Sequence, residues 1–232
     1  LFFQCFILNF LLMQNSVVQV LVANAQHTLY SQIICDEMEA SAKARGTGIA
    51  KRSSDYITLK MLEGKAVIAL SKSGKWAGFC YIETWSHGNY VANSGLIVAP
   101  EFRKSGLARE IKKKIFELSR TKYPDAKIFG LTTGLAVMKI NSELGYEPVT
   151  YSELTQDDAF WKGCQSCVNF EILKSKERKN CMCTAMLFNP EENKNQSTGK
   201  TGKWDFKKHS KLYERFMRIK QHKLFKYFKK RS

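Results

Sequence analysis

The chain has 232 residues, 44% of them hydrophobic and 12% aromatic, with 4 prolines and 14 glycines. That excludes a largely disordered chain and collagen-like or Pro-rich repeats, and suits one domain with a real core. Lys and Arg outnumber Asp and Glu by 37 to 21, but 13 of the basic and only 2 of the acidic residues lie from Lys200 onward. The body before Lys200 is close to neutral, with 24 basic against 19 acidic residues, so a DNA-binding body is not expected.

Leu1 to Leu12 form an apolar head followed by Met13. Ala23-Asn24-Ala25 offers an A-x-A cleavage pattern, but no positive stretch precedes the head and Met13-Gln14-Asn15-Ser16 interrupts it. Cleavage there would also remove Val17 to Val22, a β-type run that suits a first core strand. Residues 1–15 therefore read as an extraneous extension, with Met13 as the natural start. The head is too short to cross a bilayer as a helix. Seven cysteines is an odd number, and Cys35 and Cys80 lie in apolar periodic segments; the expected home is the cytoplasm.

After the first strand, Asn24 can cap a helix from about His27 to Ala44 with Leu29, Ile33, Ile34 and Met38 on one face. A glycine-broken basic loop, Arg45 to Arg52, leads to a second short helix opened by Ser54 or Asp55 and ended at Gly64. Three strands follow, Lys65 to Leu70, Trp76 to Trp85 and Tyr90 to Val98, the first two joined as a hairpin through Ser71-Lys72-Ser73-Gly74. A helix from about Ser105 to Lys122 buries Ile111, Ile115 and Leu118 and keeps its lysines outside. Then come a strand from Lys127 to Thr133 and a helix from Ala136 to Leu144, stopped by Gly145. The order is β-αα-βββ-α-β-α over residues 16–150. A Cys-rich extension packed on that core covers 151–188, and a polar linker with a basic tail covers 189–232.

The most informative stretch runs from Leu96 to Ala108. A buried strand feeds through Pro100-Glu101-Phe102-Arg103-Lys104-Ser105 into a helix whose first turn holds Gly106 and Ala108. A helix start presents unpaired N–H groups and the positive end of the dipole, which together bind phosphate. Gly106 and Ala108 lack bulk, so a pyrophosphate can approach the backbone, and Arg103 adds charge. An ordinary strand–helix junction is the bland alternative.

With this loop and element order the chain resembles the GNAT superfamily of acyl-CoA-dependent N-acyltransferases, whose pyrophosphate loop is [QR]-x-x-G-x-[GA]; here it is Arg103-Lys104-Ser105-Gly106-Leu107-Ala108. The resemblance covers about Val17 to Val149 and implies an α+β fold with a central mixed sheet. It also implies acetyl-CoA or succinyl-CoA as co-substrate. In the family the strand before the loop is bulged and splays from the next; pantetheine would then run along Leu96, Ile97 and Val98, faced by Leu131 and Thr132. The family's N-x-x-A-x-x-x-Y-x-x-x-G-[FY] motif ends here as Leu144-Gly145-Tyr146. Asn141 stands where the proton-donating tyrosine would be, and Gly134 where the asparagine would be, so the usual general acid is missing. Asn141 and Ser142 are the nearest candidates.

A base is needed to deliver a neutral amine. Glu83 and His87, at the end of the strand Phe79 to Trp85, are the candidates, with a solvated strand end as the alternative. Arg45, Lys51 and Arg52 suit a carboxylate-bearing acceptor, because arginine binds carboxylate as a fork, or else they are a solvated loop. The strings Ala44 to Arg52, Phe79 to Trp85 and Leu131 to Asn141 resemble N-acylglutamate synthases of bacterial arginine biosynthesis. That resemblance implies acylation of glutamate's α-amine, with another small amine or a peptide N-terminus as the alternative.

Cys164-x-x-Cys167 and Cys181-x-Cys183 could meet if Val168 to Leu173 and Met182 to Phe188 paired as a hairpin. The quartet would then hold a structural zinc or remain as reduced thiols. Trp204 to Lys230 interleaves aromatics with lysines, which suits weak contact with RNA or an anionic membrane, or a solvated helix. A nucleic-acid-binding module with a vestigial acyltransferase body is the competing class of function.

Overall fold

The computed structural model describes residues 18–46 and 51–192. The apolar head, Thr47 to Ala50 of the basic loop, most of the polar linker and the whole basic tail lie outside the described residues.

The chain opens with β1 (Val18–Val22), then Asn24 caps a turn of 3₁₀ helix at Ala25–Tyr30. The Asn24 side chain accepts from Gln26 N–H, and His27 Nδ1 accepts from the Asn24 N–H at 3.0 Å, a reciprocal cap. The α-helix proper, α1, runs Ser31–Arg45. Of the face expected to be apolar, Ile34 and Met38 are buried, whereas Leu29 and Ile33 are exposed. The 3₁₀ start rotates the helix away from the register that the spacing suggests. α2 (Ser54–Leu62) is capped by the Ser53 side chain, one residue earlier than expected.

β2 (Ala66–Ser71), β3 (Trp76–Trp85) and β4 (Tyr90–Val98) form the antiparallel meander. α3 (Leu107–Lys122) returns the chain to β5 (Lys127–Thr132), which lies parallel to β4. α4 (Leu135–Glu143) completes the expected β-αα-βββ-α-β-α order, and a short further strand, β6 (Glu147–Val149), follows it.

The remainder departs from the expected hairpin. Val168 to Leu173 does not form a strand: after α5 (Asp158–Lys162), α6 spans Phe170–Ser175. β7 (Thr184–Phe188) pairs instead with β5 and β6, both antiparallel, giving one seven-stranded sheet in the order β1-β2-β3-β4-β5-β7-β6. The Phe170–Ser175 segment is flanked by Asn and Lys, and it buries only Leu173. A lone apolar anchor suits one helical turn better than a strand with a full buried face.

Side-chain alternation divides the core by face. Cys80, Ile82, Val91, Ile128, Met186 and Phe188 point to the α3 side, where Leu107, Ile111 and Ile115 meet them. Phe79, Tyr81 and Ile97 point to the α1/α2 side, against Ile34, Met38, Ile57 and Met61. Phe129, Ala185 and Leu187 lie on the face opposite the α3 side and are covered by Trp161 and Leu173 of the C-terminal segment.

Two irregularities shape the middle of the sheet. Phe79 pairs with Ile97 and Tyr81 with Ser94, so β4 carries one extra residue at Gly95–Leu96, a bulge. Gly95 has φ +66°, and a Cβ there would lie 2.4 Å from Tyr81 Cε1 and 2.8 Å from Met38 Cε. Only glycine fits. The parallel pairing of β4 with β5 stops at Ala92 and Phe129, so Asn93 to Val98 has no strand partner on its β5 side. The bulge and the lost pairing together open a fork between β4 and β5.

Candidate active site

The loop after β4 leads to the open end of the fork. Pro100–Phe102 makes a 3₁₀ turn, Lys104 takes φ +64°, and Gly106 caps α3 at φ +91°. No Cβ clash arises at Gly106, so its glycine serves the backbone conformation and leaves open space over the helix start. Ser105 Oγ donates to Phe102 C=O at 2.7 Å and tightens the turn. The N–H groups of Lys104, Ser105 and Gly106 bond no acceptor among the described residues. The expected anion cradle, Arg103 to Ala108, therefore has free donors at a 16-residue helix start.

Arg103 is turned to a different task from the expected one. Its Nη2 donates to Glu37 Oε1 at 2.6 Å and to Ser41 Oγ at 2.8 Å, while Nε donates to Val98 C=O at 3.1 Å. The side chain ties the loop to α1 and to the end of β4. Leu96, in the bulge, and Ile97 and Val98, paired with β3, have no strand partner on their β5 side, and Thr132 ends β5 with its Oγ1 accepting from Gly134 N–H at 3.0 Å.

On the α1/α2 side, Arg52 and Glu83 come together although 31 positions apart. Arg52 Nη2 donates to Glu83 Oε1 at 3.1 Å, and Arg52 Nε to Tyr81 Oη at 3.0 Å. Tyr56 Oη donates to the same Glu83 oxygen at 2.6 Å, and the guanidinium lies 5.3 Å from the Tyr56 ring centroid. Burial works against the Arg52 charge, but Tyr81, Glu83 and Tyr56 outweigh it and hold the guanidinium cationic. Burial, and then the Glu83 charge, push both the Tyr56 and Tyr81 phenols up, so both stay neutral at physiological pH. Lys51 pairs with Glu39 at 3.0 Å on the surface, and Arg45 ends α1 exposed. A cavity of about 620 Å³ opens here between α1 and α2, lined by Met38, Ala42, Lys51, Arg52, Ser53 and Ser166. Its proximity to the Arg52–Glu83 pair was not legible in sequence, because Tyr56 and Tyr81 carry no motif.

His87 is not brought to this cluster. It occupies the β3–β4 turn with φ +57°, exposed, beside Tyr90 at the opposite end of β4 from the Arg103 loop. Asn141 is buried on the α3 side, its Nδ2 donating to Met186 Sδ at 3.7 Å. A polar chain that the sequence gives no motif for crosses the same side: Tyr146 Oη donates to Asn93 Oδ1 at 2.9 Å and Asn93 Nδ2 to Ser119 Oγ at 2.8 Å.

Cys164, Cys167, Cys181 and Cys183 are free thiols in the C-terminal segment. Cys167 Sγ accepts from Asn169 N–H at 3.4 Å, and Cys181 Sγ donates to Asn169 C=O at 3.8 Å. The zinc expectation finds no support: among the described residues no group of three or more His, Cys, Asp or Glu is arranged to hold a metal ion. The hairpin that was to bring the arms together is replaced by α6 and by β7's pairing with β5. Burial, and then the neighbouring thiols, push Cys164 up to about 11 and Cys183 up to about 12, so neither is a ready nucleophile. A cavity of about 770 Å³ in this segment, between Tyr151, Trp161, Phe170 and Arg178, shares no lining residue with the fork. Among the described residues no helix is long and apolar enough to cross a membrane.

No family model and no curated protein matches the sequence. Solved structures do. N-acetylglutamate synthase from Neisseria gonorrhoeae, complexed with coenzyme A and N-acetyl-glutamate, superposes with a TM-score of 0.53 at 14% identity. That match takes in 75% of this chain but only 35% of the gonococcal one. Rv2747 from Mycobacterium tuberculosis, also in complex with CoA, gives 0.52 at 15% identity over 74% of this chain and 98% of that one. An acetyltransferase of the GNAT family from Staphylococcus aureus Mu50 gives 0.54 at 11% identity over 75% and 99%. Likeness at this level of identity speaks to architecture alone: the chain has the GNAT acetyltransferase fold.

Proposed function

We propose that the protein is an N-acyltransferase that moves an acetyl or succinyl group from acyl-CoA to the α-amine of an amino acid, with glutamate as the acceptor. One observation carries this reading: a fork between β4 and β5 ends beside a helix start with free N–H donors. The loop 103–108 would hold the pyrophosphate on Lys104, Ser105 and Gly106 N–H. The β5-facing edge of β4 at Leu96 to Val98 would bond pantetheine and polarise the thioester oxygen. Arg103, by bonding Val98 C=O and Glu37, keeps loop and strand in that relation. On the other face the Arg52–Glu83–Tyr56 cluster adjoins the cavity between α1 and α2, which supports an amino-acid acceptor entering there. Glu83 is the base of this reading, receiving the amine's proton through water.

Calorimetry with CoA, followed by release of free thiol from acetyl-CoA and succinyl-CoA across a panel of amino acids, tests the proposal. CoA binding with glutamate-dependent thiol release is the expected result. Absence of CoA binding would overturn it, as would an R103E/G106V double variant that binds CoA as well as the wild type. Release that depends on another amine would correct the acceptor alone.

A further inference from the structure

On the α3 side, below the fork, a buried lysine sits over one tyrosine, and two buried oxygens without hydrogen-bond partners lie near the end of α4, a few residues before that tyrosine. Lys112 is 2% exposed and makes neither a hydrogen bond nor an ion pair among the described residues; its Nζ lies 5.3 Å from the Tyr146 ring centroid. Asn141 Oδ1 and Ser142 Oγ are buried and unbonded. They belong to the last turn of α4, which leads to the same tyrosine, whose N–H donates to the Asn141 backbone C=O at 3.0 Å. Burying an ammonium with three donors and no acceptor is costly, and so is each orphan oxygen. The Lys112 donors, met only by the face of the Tyr146 ring, point to an acceptor that the protein itself does not supply.

The contacts of Lys112's neighbours locate that partner. Tyr146 Oη bonds Asn93, the first β4 residue past the last rung shared with β5. Cys80, the group whose charge acts on Lys112, donates from Sγ to Ser94 C=O at 3.3 Å, one residue before the bulge. The ammonium is therefore bracketed by the partners of the two β4 residues at the base of the fork.

We propose that Lys112 is the general acid of the acyl transfer, donating from Nζ to the departing CoA sulfur. It supplies the proton that Asn141, standing where the family's tyrosine would, cannot give. This rests on the acyltransferase reading above. As the tetrahedral adduct collapses, the C–S bond breaks, its electron pair stays on sulfur, and the Nζ proton makes CoA-SH. The neutral lysine regains a proton from solvent, while the proton of the acceptor nitrogen leaves through the base. Burial pulls the Lys112 ammonium down to about 8, so it is charged at neutral pH and still a competent donor. The titratable groups facing it are Cys80 from β3, pushed up to about 11 by burial, and Tyr146, also pushed up by burial. α4 contributes only neutral Asn141 and Ser142, and β4 only neutral Asn93.

The test compares wild type, K112M and K112R for CoA affinity, thermal midpoint and kcat between pH 6.5 and 9.5. Wild type is expected to lose kcat as pH rises through about 8. K112M is expected to keep its fold and its CoA binding, to lose roughly 100-fold in kcat, and to lack that alkaline limb. K112R should move the limb above the range measured. Unchanged kcat and pH profile in K112M would overturn the proposal. If K112M does not fold, a wild-type kcat that stays flat from pH 7.5 to 9.5 overturns it equally. A wild type that neither binds CoA nor releases thiol instead sinks the acyltransferase reading itself.

Discussion

Gly95 and Lys112 show how much a single position can fix. The bulge exists because the extra residue in β4 needs a left-handed backbone and because Tyr81 and Met38 close over it. Gly95→Ala should cost about 2–5 kcal/mol, combining the left-handed backbone with overpacking. Urea unfolding should show the loss, and CoA affinity should fall with it as the fork closes. A glycine inside a strand is a readable signal for a bulge, yet sequence reasoning passed over it in favour of the loop motif. The amphipathic pattern of α3, with Ile111, Ile115 and Leu118 inside, puts Lys112 outside with the other lysines. Lys112 instead shares its helical row with Ser119, also fully buried, and the row faces Tyr146 and Cys80. The sign of its effect on stability follows from its titration. The native ammonium titrates at about 8 against an ordinary 10.5, so the unfolded chain holds more protons between those values. Stability should rise as pH climbs through that window. K112M should accordingly be more stable than wild type at pH 7, with the advantage fading between about pH 8 and 10.5 and gone above that. Melting curves at pH 7 and pH 10 check this.

At the level of elements, the meander was legible because its turns and alternation agree. β3 and β4 span the expected Trp76–Trp85 and Tyr90–Val98, and α3 starts two residues late only because Gly106 takes the cap. Contacts between elements were not legible. Arg103 was expected to meet a phosphate, but Glu37 of α1 claims it, an acidic residue 66 positions away with no motif to mark it. Arg103 thus positions the loop, and the free amides do the binding. Glu37→Gln keeps the hydrogen bond to Arg103 possible while removing the charge. The pair is half exposed, so stability should change by less than about 1 kcal/mol. CoA affinity should fall slightly, since Arg103 then ties the loop to α1 less firmly. Titration calorimetry checks this: an affinity that rises instead would show that Arg103 meets the pyrophosphate itself.

Across the whole molecule, the sheet does not end where the family-like segment does. β7 comes from the part read as an appended extension, yet it lies between β5 and β6, with Ala185 opposite Leu131 on one side and Val149 on the other. Met186 and Phe188 fill the α3-side core beside Tyr146, while Ala185 and Leu187 pack under Trp161 on the other face. The strand also covers the outer edge of β5, whose inner edge forms the fork. If residues past 150 were a separable lobe, breaking β7 would leave the acyltransferase core intact. The pairing argues the reverse. Ala185→Pro removes a ladder donor in a central strand at a residue 1% exposed, at a cost of about 3 kcal/mol or more. For a domain of this size that corresponds to a fall in the thermal midpoint of about 6–12 °C. The fall should appear as one cooperative transition, followed equally by tryptophan fluorescence, which reports on Trp161 and Trp76 from opposite parts of the sheet, and by far-ultraviolet circular dichroism. Two separate transitions, with the later one unshifted, would show that the sheet from β1 to β5 stands without its seventh strand.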